Sequence, residues 1–537
     1  MKPRVYVFLF FISLAIVGTV TFFQKNPGYM DADYYYAGGL RLATGSGLSE
    51  PFLWNYLDNP VGLPHPSNAY WMPLASLLAA VGMKFTNFIN FNGARLPFLL
   101  ISAGIPPLTA ALSYSFSQRK ESAVLAGLLA AVPAFYLSYM STTDTFGVYM
   151  FLGVSWFLIA GKKIPFRILG LEGEAAPFLM GILAGFLHLA RADGIIWLFL
   201  SFVAVIYQKR SGQNIEIKHR LRSYFVGFFL CLSGYLLVMG PWMLRNLAVF
   251  GTPLSPGGWR VLWLTNYDEL YSYPASLLTP ARWWASGWIE ILRSQLWSLS
   301  QNLQSAFAVQ GEIFLTPLIL LGLWRCRNDS RISLGMLAWL LTLIMMTFVF
   351  PHAGWRGGFF HSGAAVQPLF WAVAPFGLDV FVDWGVRVRR WHPLQAKTVF
   401  RAGLLGLAVM LAFLVVQKRV IGNDIANPAW NQGGKAYAAL ETELESLGAG
   451  PDDVVLVNNP PGYYVASGRP AIAIPNGGEA TLLEVSKRYD ASYLLIEKNH
   501  VVGLAGFYDT PGDKPGWHYL ADSDGTFIYK VIDDYQP

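Results

Sequence analysis

The sequence predicts an α-helical membrane protein with about eleven spans and a small α/β domain at its C-terminus. Of its 537 residues, 54% are hydrophobic and only 13% are charged, whereas soluble domains carry about 25% charged residues. Apolar runs long enough to cross a bilayer recur through residues 1–416, and the composition becomes more polar after them. The net charge of +6 does not indicate nucleic-acid binding, because the basic residues lie in short loops between apolar runs.

The predicted spans are the longest apolar runs. They lie near 5–23, 95–116, 122–141, 145–160, 177–190, 194–208, 223–244, 306–323, 332–350, 362–382 and 399–416. One further run, 71–81, has only about 11 residues and contains Pro73, which favours a helix lying on the membrane surface. If this run crossed the membrane, every later loop would change sides.

The basic residues decide the orientation, because cytoplasmic loops carry an excess of Lys and Arg. With 71–81 on the surface, the short outer loops hold only Arg191 and Arg356. The cytoplasmic segments hold about half of the 39 basic residues: Lys2, Arg4, Arg119, Lys120, Lys162, Lys163, Arg167, Lys209, Arg210, Lys218, Arg220, Arg222, Arg325, Arg327, Arg331, Arg387, Arg389, Arg390, Lys397 and Arg401. The sequence therefore predicts a multi-pass protein of the cell membrane with a cytoplasmic N-terminus and an extracytoplasmic C-terminus.

Three large regions then lie outside the membrane: the loops 24–94 and 245–305, and the C-terminal region 417–537. No predicted cytoplasmic loop is large enough to fold as a domain. In the C-terminal region four short apolar strands (454–457, 471–474, 493–496 and 527–531) are separated by Pro and Gly, and 480–489 has the pattern of an amphipathic helix. We therefore divide the chain into a membrane domain, 1–416, and an extracytoplasmic α/β domain, 417–537.

Ionisable residues gather at the predicted outer ends of the spans, where such residues are costly and often functional. Asp31 and Asp33 follow the first span directly. The other candidates come from the same loop and from four further outer segments: His65, Asp144, Arg191, Asp193, Asp268, Glu269, Arg356 and His361. Acids and bases that converge on one face from separate loops indicate a functional site.

Each candidate also has a structural explanation. An acid at the start of a span could cap its helix, as Asp144 and Asp193 could, and Arg191 could pair with Asp193 to order that turn. The remaining candidates could be interface anchors or a solvated loop face, namely Arg356, His361, Asp268 and Glu269. The pair Asp31 and Asp33 is harder to explain structurally, because three tyrosines follow it at the membrane interface.

At these residues the chain resembles the GT-C superfamily of membrane glycosyltransferases, which includes bacterial protein mannosyltransferases and the lipid A aminoarabinose transferases. The matching elements occur in order over about residues 1–380: Asp31, Asp33 and Tyr35 after span one, His65-Pro66 before the surface helix, Ala94-Arg95-Leu96 at span two, Asp144 after span three, and Arg191-Ala-Asp-Gly194. Family members often have Asp-Glu in the first loop. This chain has Asp-Ala-Asp, which leaves open whether Asp31 or Asp33 is catalytic.

The resemblance implies transfer of a sugar from a polyprenyl-phosphate donor to a lipid, protein or glycan acceptor. Asp31 or Asp33 would be the general base of an inverting displacement. The donor phosphate would be bound by Arg356, His361 and Arg191. Metal or acceptor would be bound by Asp144, Asp268, Glu269 and His65, and a divalent cation, Mg²⁺ or Mn²⁺, would be held by Asp31, Asp33 and Asp268.

The predicted topology agrees with a lipid-borne donor. Nucleotide sugars are made in the cytoplasm, whereas the acids lie outside and no cytoplasmic loop could form a nucleotide-sugar domain. Two other functions stay open. A transporter or flippase would place charges in mid-membrane on broken helices and would show repeats, neither of which we find in the sequence. The third function is a scaffold that presents the C-terminal domain. The enzyme alone would require Asp31, Asp33, Asp144, Asp268 and Arg356 to lie around one outward cavity that opens sideways to lipid.

Overall fold

The computed structural model describes residues 1–161, 165–168, 171–210 and 217–532, with the backbone alone at 165–168, 171–174, 208–210 and 217–220. Lys162 and Lys163, which contribute to the predicted orientation, lie outside the described residues. The helices are α1 (Pro3–Thr21), α2 (Met30–Ala43), α3 (Leu74–Thr86), α4 (Phe91–Ser117), α5 (Lys120–Ala131), α6 (Thr145–Ala160), α7 (Ala176–Ala190), α8 (Ile195–Arg210), α9 (Ile217–Phe250), α10 (Pro280–Ala285), α11 (Trp288–Ser305), α12 (Thr316–Arg325), α13 (Ser330–Ile344), α14 (Pro351–Ala353), α15 (Phe359–Gly363), α16 (Gln367–Arg389), α17 (Pro393–Val416), α18 (Gln432–Ser446), α19 (Pro460–Ser467), α20 (Glu479–Tyr489) and α21 (Ala505–Asp509).

Six helices within the described residues are long and apolar enough to cross a membrane: Pro3–Thr21, Phe91–Ser117, Leu221–Phe250, Ser330–Val349, Gln367–Arg389 and Pro393–Ile421. Shorter apolar helices coincide with three other predicted spans, at Thr145–Ala160, Ala176–Ala190 and Ala192–Tyr207. The helical membrane fold is therefore confirmed, whereas the number of eleven spans stays a prediction.

Two predicted spans, 122–141 and 306–323, are interrupted well inside their length, and a third, 362–382, has a turn at 364–366 near its start. The run 122–141 is helical only to Ala131, because Pro133 cannot continue the helix, and a 3₁₀ turn follows at Ala134–Tyr139. The run 306–323 is interrupted between Gln310 and Thr316, where Glu312 and Ile313 have φ angles of 43° and 63°. The buried carboxylate of Glu312 accepts a hydrogen bond from Trp371 Nε1 of α16 at 2.9 Å, and this contact fixes the interruption.

The two ends of the helix bundle differ in the loops that meet there. At one end, Arg119 and Arg401 each lie 3.2 Å from a carboxylate oxygen of Asp379. The charge pattern assigns both arginines to the cytoplasmic side. At the other end, Gln24 accepts a hydrogen bond from Arg95 Nη1 at 2.8 Å and donates to the carbonyl of Ser138 at 2.8 Å. The loops 24–94 and 245–305 and the C-terminal region, which the sequence predicts to lie outside, extend from this second end.

The first outer region contains two helices packed against each other. Gly38 and Gly39 give α2 a short stretch without side chains. At this stretch the backbone of α2 lies directly on α3. A Cβ at Gly39 would lie 2.6 Å from Ala79 Cβ, and one at Gly38 would lie 2.8 Å from Ser76 Oγ. The sequence predicts a surface helix at 71–81. The structure has a helix there, α3, which begins at Leu74 and continues to Thr86. Close packing on α3 fixes α2, which carries Asp31 and Asp33.

The C-terminal region forms a six-stranded sheet covered by α18, α19 and α20. Short β1 (Ser49–Glu50) and β3 (His65–Pro66) pair with each other, as do β4 (Pro165–Ile168) and β5 (Leu171–Glu174). The large sheet contains β2 (Phe52–Leu53), β6 (Val454–Val457), β7 (Ala471–Ala473), β8 (Ala491–Ile496), β9 (Trp517–Ser523) and β10 (Thr526–Val531), in the order β2-β7-β6-β8-β10-β9. Strands β2, β7, β6 and β8 are parallel. The first outer loop therefore adds its strand β2 to the sheet of the region 417–537.

We expect Arg469→Leu to destabilise this sheet region by about 3–5 kcal/mol, because a buried ion pair would lose one partner. The Arg469 guanidinium is 2% exposed and lies 2.6 Å from Glu441 Oε1, and it also donates to the carbonyl of Gly450. Hydrogen exchange of peptides from β6 and β8 in increasing urea would measure the change. The double variant Arg469→Leu/Glu441→Leu is the control, since it leaves no buried charge unpaired and should recover most of the stability. A single variant as stable as the wild type would contradict the prediction.

Candidate functional site

A cavity of about 450 Å³ opens where the outer loops meet the ends of the membrane helices. One part of its wall is polar and contains Asp31, Arg191, Arg356 and His361. The other part is apolar and comes mainly from α9 and from the end of the helix at Ser330–Val349, and it includes Met239, Trp242, Met345, Met346 and Phe350. This volume lies within the range of small-molecule sites. The cavity can therefore hold a molecule with one charged and one apolar part.

Three potential metal ligands meet at the polar end of the cavity. His361 Nε2 lies 3.6 Å from Asp31 Oδ2, and His361 Nδ1 lies 3.7 Å from Asp144 Oδ1. One ligand atom of each residue lies within 4.8 Å of the others. The three residues come from α2, from the residue before α6 and from α15, so tertiary packing alone brings them together.

Asp144 is held rigidly behind His361. It is the N-cap of α6, where its carboxylate accepts hydrogen bonds from the Thr145 backbone N–H and from the Tyr29 hydroxyl. Its side chain is fully buried, whereas the side chain of Asp31 is 30% exposed, towards the cavity. The predicted capping role of Asp144 and its place in the cluster are therefore compatible. Asp31 is the carboxylate of this cluster that a molecule in the cavity would meet.

The imidazole of His361 is fixed by stacking. Its ring lies 3.9 Å from the ring of Phe146 at an angle of 21°. Just before it, Gly357 has a φ of +128°, a conformation that L side chains rarely adopt. Within the described residues, Nδ1 of His361 is buried and has no hydrogen-bond partner. A buried ring nitrogen without a partner, facing a carboxylate at 3.7 Å, is suited to bind a cation between them.

The electrostatics of the cluster follow from burial and crowding. The pKa of Asp31 is raised to about 7, mainly by burial and to a smaller extent by the nearby carboxylate of Asp144. Burial also raises the pKa of Asp144, while the hydrogen bonds from Tyr29 and Thr145 oppose this shift. The pKa of His361 is held well below its usual range, mainly by burial and to a smaller extent by the positive charge of Arg191. The imidazole is therefore neutral at pH 7, which is the form that ligates metals.

Two arginines border the cluster in different ways. Arg191 is committed within the protein, since its Nε lies 3.0 Å from Asp193 and its Nη2 lies 3.4 Å from Ser362 Oγ. Arg356 is exposed and forms neither a hydrogen bond nor an ion pair with the described residues. Its guanidinium lies 4.6 Å from the ring of Tyr267, a tyrosine that also lines the cavity. Arg356 is therefore the cation available to an anionic ligand.

Several predicted residues lie elsewhere. Asp33 points away from the cavity and accepts a hydrogen bond from Asn459 of the C-terminal region at 3.1 Å, because residues two apart on a helix face opposite sides. Burial raises the pKa of Asp33 to about 7, and the hydrogen bond from Asn459 opposes that shift. His65 is buried against Asp58 at 2.7 Å, and the structure does not bring it to the cluster.

The acids of the second large loop are also outside the cluster. Glu269 is buried and bound by Arg282 and by the backbone and hydroxyl of Thr265, so it orders its own loop. Asp268 is exposed and does not line the cavity. Of the predicted metal ligands, the structure therefore brings Asp31 and Asp144 together with His361, whereas Asp33 and Asp268 lie outside this group.

Sequence reasoning missed some residues of the cavity. Asn246 of α9 is completely buried and lines the cavity, and its Nδ2 has no hydrogen-bond partner within the described residues. Tyr29 donates a hydrogen bond to Asp144. Burial raises the pKa of Tyr267 to about 12, and the charge of Asp31 adds to this shift while that of Arg356 opposes it. The sequence does contain an indication of Asn246, because a single amide side chain at the end of an apolar run needs a hydrogen-bond partner. Nothing local distinguishes Tyr29 and Tyr267 from interface tyrosines.

The three ligands fit a divalent cation. Two carboxylates and a neutral imidazole match sites for Mn²⁺ or Zn²⁺, whereas Mg²⁺ prefers oxygen ligands alone. His361 Nδ1, which lacks a partner, supplies the observation that favours a bound ion. The sequence predicted Mg²⁺ or Mn²⁺ at oxygen ligands, and the imidazole moves the preference towards Mn²⁺ or Zn²⁺.

No family model and no curated protein matches this sequence. Several solved structures have a similar fold, among them the following three. The Archaeoglobus fulgidus oligosaccharyltransferase in complex with Zn and sulfate is 14% identical with a TM-score of 0.56, and the match covers 97% of this chain and 73% of that one. AglB of the same organism, in complex with an inhibitory peptide and a dolichol-phosphate, is 15% identical with a TM-score of 0.54. That match covers 99% of this chain and 75% of the AglB chain. ArnT from Cupriavidus metallidurans bound to undecaprenyl phosphate is 12% identical with a TM-score of 0.56, covering both chains fully.

These structures belong to the GT-C superfamily. The chain therefore has a GT-C fold, as the order of its motifs predicted, and it is a membrane protein.

Proposed function

We propose that the protein is a membrane glycosyltransferase that moves a sugar from a polyprenyl-phosphate donor to an acceptor on the extracytoplasmic face. One observation carries this proposal. A single cavity joins a polar end, at Asp31, His361 and Arg356, to an apolar wall made by membrane helices. A polyprenyl-phosphate sugar has the same division, since its phosphate and sugar are polar and its chain is apolar. A scaffold would not need such a cavity.

The donor would lie with its chain along the apolar wall and its phosphate beside Arg356. Methionines in that wall, such as Met239 and Met346, adapt to irregular apolar ligands. A guanidinium without an acidic partner binds phosphate strongly, often through two hydrogen bonds. Structures with this fold have been solved with undecaprenyl phosphate and with a dolichol-phosphate, which supports the same class of donor here.

Asp31 would be the general base. It is the carboxylate of the cluster that is exposed to the cavity. One carboxylate oxygen of Asp31 would accept the proton of the acceptor hydroxyl. At the same time, the hydroxyl oxygen of the acceptor would attack the anomeric carbon. The bond from this carbon to the phosphate oxygen would break on the opposite side, so the sugar would be transferred with inversion. Arg356 would stabilise the charge that develops on the leaving phosphate.

A divalent cation would be held by Asp31, Asp144 and His361. When bound, it would supply positive charge that favours departure of the phosphate. The chain's own contribution is to keep Asp144 fully buried and hydrogen-bonded and to keep His361 neutral and stacked on Phe146. Arg191, held by Asp193, would contribute charge to the site without changing position.

The predicted topology completes the proposal. With a cytoplasmic N-terminus, the cavity and the C-terminal domain face the extracytoplasmic side of the cell membrane. The acceptor would be a lipid, a protein or a glycan that carries a hydroxyl or another nucleophile.

Transfer from a radiolabelled polyprenyl-phosphate sugar by the purified protein tests the function. Mass spectrometry of lipids that copurify with the protein would identify which donor to use. The alternative function, a flippase, would move such a lipid between the leaflets of a vesicle without consuming it. Translocation of an intact donor, with no transfer to any acceptor fraction from the cell envelope, would contradict the proposal.

Arg356→Ala should raise the KM for the donor roughly tenfold, because one charge-assisted contact to the phosphate would be lost. Initial rates over a range of donor concentrations would measure this change, and Arg356→Lys should give an intermediate value. Arg419→Ala is a matched control, since Arg419 also lies over a tyrosine ring, that of Tyr139, but does not line the cavity. An equal increase in KM for both variants would argue against a phosphate contact at Arg356.

A further inference from the structure

The sheet of the C-terminal region has a topological switch point, and the crevice at such a point usually binds ligands. Strand β6 lies between β7 and β8, and all three are parallel. The chain passes from β6 to β7 on one side and then to β8 on the other, so the connections diverge between β6 and β8. In open parallel sheets the ligand binds outside the carboxyl ends of the strands at this point. Asn458 and Asn459 follow β6 here, and Glu497 and Asn499 follow β8.

The protein itself occupies this crevice. Asn458 Nδ2 donates to the carbonyl of Asn499 at 2.6 Å, and Glu497 accepts a hydrogen bond from the Tyr437 hydroxyl at 3.1 Å. Asn459 Nδ2 donates to Asp33 Oδ2 at 3.1 Å. Asp33 belongs to α2 of the membrane domain and is only 7% exposed. An acid from another part of the chain therefore lies where a separate ligand would otherwise bind.

The same acid contacts the N-terminus of α19. Asn459 caps this helix by accepting a hydrogen bond from the Gly462 backbone N–H at 3.1 Å. A Cβ at Gly462 would lie 2.8 Å from Asp33 Oδ2, so the carboxylate rests directly on the first turn. Helix N-termini stabilise negative charge. Asp33 is thus bound by one amide donor and by the favourable end of a helix dipole.

Asp33 and Asp31 share the first turn of α2 and point to opposite sides. A residue that is fixed on one side of a helix determines the direction of a residue two positions away. On the opposite face of this turn, Asp31 points into the cavity beside His361. The residue between them is also contacted, since Thr143 Oγ1 donates to the carbonyl of Ala32 at 2.8 Å.

We infer that Asp33 and Asn459 form a positioning pair, through which the C-terminal domain sets the direction of the first turn of α2 and so of Asp31. The later part of the helix is fixed by its packing on α3. The inference rests on the proposed function, in which Asp31 contacts the reacting groups. Asp33 would then be a positioning residue, and the C-terminal domain would act on the reaction without binding a substrate in its crevice.

Other contacts hold the domain in place, so the pair can be tested without releasing it. Arg488 and Tyr489 both donate to the carbonyl of Pro60 at 2.9 Å, and Trp430 Nε1 donates to the carbonyl of Asn26 at 3.1 Å. Strand β2 also stays in the sheet. Variants at Asp33 and Asn459 should therefore remain folded, with changes confined to the first turn of α2.

A reciprocal exchange of the two residues is the decisive experiment. Asn459→Asp would put two carboxylates against each other, and we expect kcat to fall roughly tenfold to a hundredfold with the KM for the donor unchanged. The exchange Asp33→Asn/Asn459→Asp rebuilds an amide–carboxylate pair with the same geometry, and aspartate still caps α19. We expect this double variant to recover kcat to within about threefold of the wild type. Asn427→Asp, the same change at an exposed position of the region, should have no effect.

Two results would overturn the inference. If the exchange does not restore kcat, the carboxylate of Asp33 is needed for itself and the residue is not a positioning residue. If Asn459→Asp leaves kcat unchanged, the pair does not position Asp31.

Should the wild type transfer no sugar, the proposed function fails first, and hydrogen exchange then tests the pair alone. Exchange in peptides covering 29–36 should rise in Asn459→Asp and return in the double variant, and unchanged exchange would overturn the inference.

Discussion

Replacing Asp31 with asparagine is expected to lower the rate of sugar transfer roughly a thousandfold or more. Asparagine has nearly the same shape, but it cannot accept the proton of the acceptor and it is a poor metal ligand. The KM for the donor should change little, because the proposed phosphate contact is made by Arg356. Initial rates with a radiolabelled polyprenyl-phosphate sugar, measured at saturating acceptor, would give both constants.

Two other aspartates provide the controls for this variant. Asp268→Asn changes an exposed acid of the second large loop that does not line the cavity, and it should leave transfer unchanged. Asp33→Asn should reduce kcat far less than Asp31→Asn, since Asp33 faces Asn459 and not the cavity. If Asp33→Asn were the inactive variant and Asp31→Asn were active, the assignment of the base to Asp31 would be wrong.

The sequence predicted the helical architecture well where one physical rule dominates. Long apolar runs are forced to be helical in a bilayer, because every backbone polar group needs a partner within the segment. The two interruptions differ in how visible they were. Pro133 marks the first in the sequence itself. The second, at Glu312, depends on a hydrogen bond from Trp371, which lies 59 residues away. Such a contact is a property of packing and has no local pattern.

The candidate site was predicted in part for a similar reason. Topology alone placed Asp31, Asp144, Arg191, Arg356 and His361 on one side. The structure brings four of them into one cavity wall and places Asp144 behind His361. Which face of a helix a residue occupies could have been argued further, because Asp31 and Asp33 cannot both face one cavity from the same helix turn. The partner of Asp33, however, lies 426 residues away in the chain. Only the folded sheet reveals it.

Local pairs explain the remaining differences. His65 and Asp58 are seven residues apart and bury each other, and Glu269 is bound by Arg282 within the same loop. A buried charge normally has a partner. A predicted site residue with an opposite charge a few positions away in its own loop is therefore more often an internal pair than a ligand.

Removal of divalent metal is expected to lower transfer by about a hundredfold or more, since the positive charge beside the leaving phosphate would be lost. Treatment with a chelator followed by addition of single metals would measure this effect. Mn²⁺ or Zn²⁺ should restore the rate at lower concentrations than Mg²⁺, because one of the three ligands is an imidazole. Full activity after complete chelation would contradict a metal site at Asp31, Asp144 and His361.

His361→Ala separates the metal from the other charges of the cavity. This change removes a metal ligand but leaves Arg356 and the carboxylate of Asp31, so the Mn²⁺ concentration for half-maximal activity should rise roughly tenfold to a hundredfold. Titration of the chelated enzyme with Mn²⁺ measures the shift, and bound Mn²⁺ can be followed by electron paramagnetic resonance without any substrate. His518→Ala is the control, since His518 is an exposed histidine of the C-terminal region paired with Asp513. If His361→Ala lowers kcat at every Mn²⁺ concentration and leaves the half-maximal concentration unchanged, His361 acts on the substrate and is not a metal ligand.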